Sequence, residues 1–115
     1  MTIYPVATTL NIPDIPPEYA ALPAIIGRRY RFQSIIGKGS FGVVFAVESG
    51  ESRKLYAAKV ELKSARSPKL EQEYARFRMM QGNEGFPEVR YFWSNKDYNA
   101  VVMELLGDSL DVLHR

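Results

Sequence analysis

Lys59 stands inside an apolar run, Ala57-Ala58-Lys59-Val60, downstream of Gly37-Lys38-Gly39-Ser40-Phe41-Gly42-Val43-Val44. The three glycines leave backbone N–H groups unshielded by a Cβ, so such a turn can approach phosphate oxygens closely. A lysine nearby supplies the opposite charge. The chemistry these residues suit is the holding of a nucleotide phosphate chain. The same glycine spacing occurs in dinucleotide-binding folds, where a helix must follow the loop. Here β-branched and apolar residues follow, and a strand-like run precedes the loop, so the glycines read as the turn of a hairpin.

A lysine in mid-strand must reach water or a partner, because a buried unpaired ammonium is costly. Glu73 is the natural partner. It falls between Leu70 and Phe77 on the apolar side of a helical pattern, where a carboxylate is expected to be paired. Val44 and the small Ala57 flank Lys59 at spacings that could bracket a flat ring, although plain strand packing would place them alike. Met103-Glu104-Leu105-Leu106-Gly107 reads as a strand leaving its sheet through a hinge, where backbone groups could meet a base edge. Glu61, Glu71 and Asp111 show no convergent spacing and are expected to be solvated charges.

The elements that position these residues follow from pattern. Strands are predicted over residues 30–36, 43–47, 54–62, 89–93 and 99–105, with polar turns at Ser49-Gly50-Glu51-Ser52 and Ser94-Asn95-Lys96-Asp97. Ser67-Pro68 predicts a helix start, with Ser67 as cap and Pro68 at the first helical position. Leu70, Tyr74, Phe77 and Met80 or Gln81 keep helical spacing, and Gly82 can end the helix. The order βββ-α-ββ predicts an α+β fold, a five-stranded antiparallel sheet with one packed helix.

Residues 1–26 differ. They hold five of the seven prolines, Pro5, Pro13, Pro16, Pro17 and Pro23, and no Lys or Arg. An irregular leader is expected there, ahead of a domain over residues 27–115. Pro13-Asp14-Ile15-Pro16 fits a linker or a proline-rich docking motif.

Composition excludes several functions. With 15 Lys and Arg against 13 Asp and Glu, the net charge of +2 is too balanced to argue for nucleic acid or an anionic membrane. No apolar run approaches the ~20 residues of a spanning helix. There is no Cys, which fits a reducing compartment, and His114 is the sole histidine. A Ser-His-Asp triad or a zinc site is therefore not expected.

The chain resembles the N-terminal lobe of eukaryotic protein kinases, and more narrowly casein kinase I. The narrow resemblance rests on Gly27-Arg28-Arg29-Tyr30-Arg31-Phe32, the glycine loop, Lys59-Val60-Glu61, Met79-Met80-Gln81-Gly82, Asp97-Tyr98-Asn99 and Val102-Met103-Glu104-Leu105-Leu106-Gly107. It implies ATP between the glycine loop and the hinge, with Ile36, Gly37, Lys38, Gly39, Ser40, Phe41 and Gly42 over the phosphates. It further implies Val44 and Ala57 at the adenine, Lys59 on the phosphates held by Glu73, Met103 as gatekeeper, and Glu104 and Leu106 in the hinge. An intracellular location, cytoplasmic or nuclear, is implied as well. Tyr56 and Ala58 replace the usual Val and Ile of the lysine strand, and Asp108 replaces a usual Pro.

The 115 residues contain neither H-R-D-x-x-x-x-N nor D-F-G. The residues that would act as base and hold Mg²⁺ in such a kinase are therefore not among them. Residues 1–115 are expected to be a fragment or truncated gene product of a casein kinase I-like serine/threonine kinase, binding nucleotide weakly without catalysing transfer. The alternative is a non-catalytic scaffold or decoy that meets a protein partner through an exposed lobe interface, including Leu105, Leu106, Leu110 and Leu113.

Overall fold

A computed structural model describes residues 10, 12–39, 42–65 and 68–105. They form one antiparallel sheet of six strands with a single α-helix on it. The strands are β1 (Ile25–Ile26), β2 (Tyr30–Gly39), β3 (Gly42–Ser49), β4 (Leu55–Leu62), β5 (Val89–Ser94) and β6 (Tyr98–Glu104), and α1 spans Leu70–Met79. Their order across the sheet is β1-β2-β3-β4-β6-β5. Five strands lie where the sequence pattern predicts them, and the helix falls within its predicted stretch.

The sixth strand corrects the expected count of five. β1 pairs Ile25 with Arg31 and Ile26 with Tyr30. A two-residue strand behind Pro23 has no alternation to display. Only Gly27 marks its turn in sequence; in the structure Gly27 (φ 61°) and Arg28 (φ 58°) both take the positive φ of a tight hairpin turn.

The sheet is apolar on both faces because its central strands alternate between two cores. Tyr56, Ala58 and Val60 of β4 point to one side, with Phe45, Val47, Tyr98, Ala100 and Val102. Ala57 points to the other, with Val44, Leu70, Val101 and Met103. We call these the outer and inner cores. The helix covers the inner core, and Tyr74 lies on Phe92 with ring centroids 5.4 Å apart.

The proline-rich segment covers the outer core. Ile12, Tyr19, Leu22 and Ile26 are buried in it, and Leu10 and Ile15 pack against it. A single 3-10 turn, Pro17–Tyr19, opens with Pro at its first positions. It lays the Tyr19 ring on Tyr98 at 5.9 Å, and the Tyr98 hydroxyl donates to the Glu18 carbonyl at 2.7 Å.

Burial pushes the hydroxyls of Tyr19 and Tyr98 above the ordinary tyrosine value; the Glu18 charge adds to the shift at Tyr19, and a backbone hydrogen bond opposes it at Tyr98. The folded state thus favours the neutral phenols. Their contribution is intact below about pH 10, the unfolded value, and is lost as pH rises through the raised values. Tyr98→Phe removes the bond to Glu18 and is expected to cost about 0.5–1.5 kcal/mol. Urea denaturation at pH 7 checks this, and a repeat at pH 10.5 should show a smaller gap between the two proteins.

The helix start also differs from expectation. The first helical residue is Leu70, Lys69 is the N-cap, and Lys69 makes no side-chain capping bond. Pro68 thus precedes the helix, and Ser67 lies outside the described residues. The helix ends at Met79, and Gly82 follows with φ 91°.

Candidate functional site

The glycine-rich segment is a hairpin whose strands stay paired to its tip. Gly37 faces Val44, Lys38 faces Val43, and Gly39 faces Gly42. Ser40 and Phe41, predicted at the tip, lie outside the described residues. Gly42 (φ 151°) has a conformation that side chains resist, and a Cβ on it would collide with the Val60 carbonyl oxygen of β4. This glycine therefore seats the hairpin on the lysine strand.

Below the tip, β3 pairs Val43 with Val60 of β4 and then Val44 with Lys59. On the other edge of β4, Ala57 lies opposite Met103 and Lys59 opposite Val101. Paired residues of an antiparallel ladder share a face. Val44, Ala57, Lys59, Val101 and Met103 therefore stand together on the inner face, with Ile36 and Leu105 packed at the border of its core. Val44, Ala57 and Met103 form an apolar surface beside the Lys59 ammonium.

Lys59 Nζ lies 2.8 Å from Glu73 Oε1 of α1, with the two side chains 21% and 27% exposed. The structure thus brings together Ile36, Val44, Ala57, Lys59, Glu73 and Met103, with Gly37, Lys38, Gly39 and Gly42 along the adjacent hairpin. Glu104 ends β6 opposite Tyr56, and its N–H donates to the Glu88 carbonyl at 2.8 Å. Leu106, the expected hinge residue, is outside the described residues.

Two side chains that hold the helix escaped the sequence reading. Glu61, expected to be a solvated charge, is only 6% exposed. Its carboxylate accepts the N–H groups of Lys69 at 2.9 Å and Leu70 at 3.1 Å, and so caps α1 from β4. The spacing to Lys59 was the available signal, since residues two apart on a strand share a face. Gln81 secures the far end. Its Nε2 donates to the carbonyls of Phe77 at 3.0 Å and Pro87 at 3.2 Å, and its Oε1 accepts the Val89 N–H at 3.3 Å. Helical spacing reaches Gln81, but its bonds beyond the helix end at Met79 leave no mark in that spacing.

Among the described residues, no group of three or more His, Asp or Glu side chains could hold a metal ion. No described helix is long and apolar enough to cross a membrane.

No protein-family model matches the chain. Over 90 residues, the chain is 39% identical to casein kinase I homolog 2 of Schizosaccharomyces pombe. The match covers 78% of this chain but 21% of that protein, and it falls in that protein's N-terminal portion. The chain thus spans about a fifth of the curated relative it matches.

Proposed function

We propose, from its 39% identity to the N-terminal portion of one casein kinase I homolog, that the chain belongs to the casein kinase I family and forms an ATP-binding lobe. In this reading the adenine lies on Val44, Ala57 and Met103 and meets the backbone at Glu104 and Leu106. The hairpin from Ile36 to Gly42, with Ser40 and Phe41 at its tip, covers the phosphates. Lys59 contacts the α- and β-phosphates, and Glu73 holds it there.

The observation that carries the reading is the 2.8 Å ion pair of Lys59 and Glu73 beside the glycine hairpin. A partly buried ion pair returns little net stability, and apolar side chains of similar size serve packing as well or better. A cation fixed next to an apolar surface and a run of glycines is accounted for by an anionic ligand with an apolar ring.

Mg²⁺, when bound in a complete kinase of this kind, neutralises charge between the phosphates. Its usual protein ligands belong to motifs that do not occur in these 115 residues. We therefore expect residues 1–115 to bind ATP with a dissociation constant of about 0.1–1 mM, roughly −4 to −5.5 kcal/mol. No phosphoryl transfer to casein or acidic peptides is expected. Amide chemical shifts followed during an ATP titration check the first point, with Lys59→Ala as the control. Perturbations centred away from the inner face, or unchanged by Lys59→Ala, would refute the reading. Phosphorylation by the purified chain that is abolished by Lys59→Ala would refute the absence of transfer.

For the scaffold alternative, Leu106, Leu110 and Leu113 of the expected surface lie outside the described residues. Leu105 packs on the inner core. The leader covers the opposite, outer core. Nothing among the described residues favours that reading over the nucleotide site.

A further inference from the structure

Glu61 does more than cap a helix. It lies two residues beyond Lys59 on β4, so both side chains leave the same face of the sheet. Besides the N–H groups of Lys69 and Leu70 on Oε1, its Oε2 accepts Asn99 Nδ2 at 2.8 Å and shares the Leu70 N–H at 3.1 Å. Asn99 in turn accepts a hydrogen bond from Ser94 Oγ at 2.9 Å. The carboxylate thus joins β4, β6 and the first turn of α1, and Asn99 extends the network to β5. Glu73 sits in that same first turn, with its N–H bonded to the Lys69 carbonyl at 2.9 Å.

β4 therefore grips α1 at two points on one face, through Glu61 and through Lys59. We propose that Glu61 is a positioning residue for the Lys59–Glu73 ion pair. It holds the first turn of α1 where Glu73 reaches Lys59, and so sets nucleotide affinity. This rests on the nucleotide reading given above.

The physical case concerns what happens without the carboxylate. Three donors, two of them backbone N–H groups at a helix start, would lose a charged acceptor in a buried place. A carboxylate is also favoured there by the helix dipole. The least costly relief is for the first turn to swing toward water, which carries Glu73 away from Lys59. Gln81 and the Tyr74–Phe92 contact hold the rest of the helix and do not oppose that swing.

The test uses the 115-residue chain with ATP as the probe. Glu61→Met keeps the volume and removes the acceptors, and we expect it to lower ATP affinity about tenfold. Glu61→Gln keeps one acceptor oxygen and should recover most of that loss. A Lys59→Ala/Glu61→Met double variant should bind no more weakly than Lys59→Ala alone, because Glu61 acts through Lys59. Fully additive losses would overturn the proposal, since a general structural role gives additivity.

Amide hydrogen exchange supplies a second readout that needs no ligand. At Lys69, Leu70 and Glu73 we expect exchange to quicken at least tenfold in Glu61→Met, with amides of β3 and β6 unchanged. If Glu61→Met does not fold, Glu61→Gln is measured instead, with smaller acceleration at the same three amides. Unchanged exchange there overturns the proposal. If the wild-type chain binds no ATP, the nucleotide reading fails by itself, and the exchange result decides whether Glu61 positions the first turn.

Discussion

Residues 27–115, produced without the preceding segment, will self-associate and will not melt cooperatively, whereas the 115-residue chain will melt as one unit. The reason is where the proline-rich segment sits. Leu22 is 2% exposed and Ile26 is fully buried, and with Ile12 and Tyr19 they complete the outer core. Leu22→Ala alone is expected to cost about 2–5 kcal/mol, against about 5–15 kcal/mol for a whole domain. Removing all four anchors leaves the outer faces of Phe45, Val47 and Tyr98 uncovered, and an exposed apolar surface of that kind drives association.

The same cut reaches the glycine hairpin from its outer side. Pro16, Glu18 and Tyr19 face Lys38, Gly39 and Gly42 across a groove of about 250 Å³, so the glycine hairpin loses its backing as well. Sedimentation and thermal melting of the two proteins side by side measure the effect. A monomeric 27–115 that melts within a few degrees of the full chain would show that the outer core closes without the leader.

Gly42→Ala is expected to destabilise the fold by about 2–5 kcal/mol and to abolish ATP binding. The added methyl meets the Val60 carbonyl, which is backbone in the middle of the sheet and cannot turn aside. Either β3 lifts from β4 or Gly42 leaves its conformation; both moves displace the hairpin. Gly85 is the control. Its φ of 89° is also unfavourable for a side chain, but a Cβ there meets nothing within 4 Å. Gly85→Ala should therefore cost only about 1–2 kcal/mol. Urea denaturation of both variants separates collision from backbone strain. Equal losses would assign the whole effect at Gly42 to its φ.

The central fold was legible because strands β2 to β6 alternate or run apolar between clear turn signals, and because the spacing around Glu73 is helical. The ion pair was legible for a related reason. A charge on an apolar strand and a charge on the apolar side of a helix each need a partner, and the chain offers few. Two things were only partly legible or hidden. Apolar leader residues such as Ile12, Ile15, Leu22 and Ile26 could be expected to cover an exposed surface beside Leu105, but prolines interrupt any period, and only the tertiary structure shows that they meet the outer core instead. Glu61 was hidden because its principal partners are backbone N–H groups, which every residue but proline possesses. A capping carboxylate that arrives from a distant strand leaves no mark near the helix it caps. The cap expected at Ser67-Pro68 lies upstream of the observed start at Leu70.

The alternation along β4 has a consequence for how this chain can change over time. Tyr56, Ala58 and Val60 serve one core, while Ala57, Lys59 and Glu61 serve the other and its helix. Point changes touch one set at a time. A codon inserted or lost within the strand would exchange the two sets at a stroke, sending the ammonium and the capping carboxylate into the outer core. Length variation is therefore barred from this strand and must be taken up at the exposed Glu51–Lys54 turn beside it.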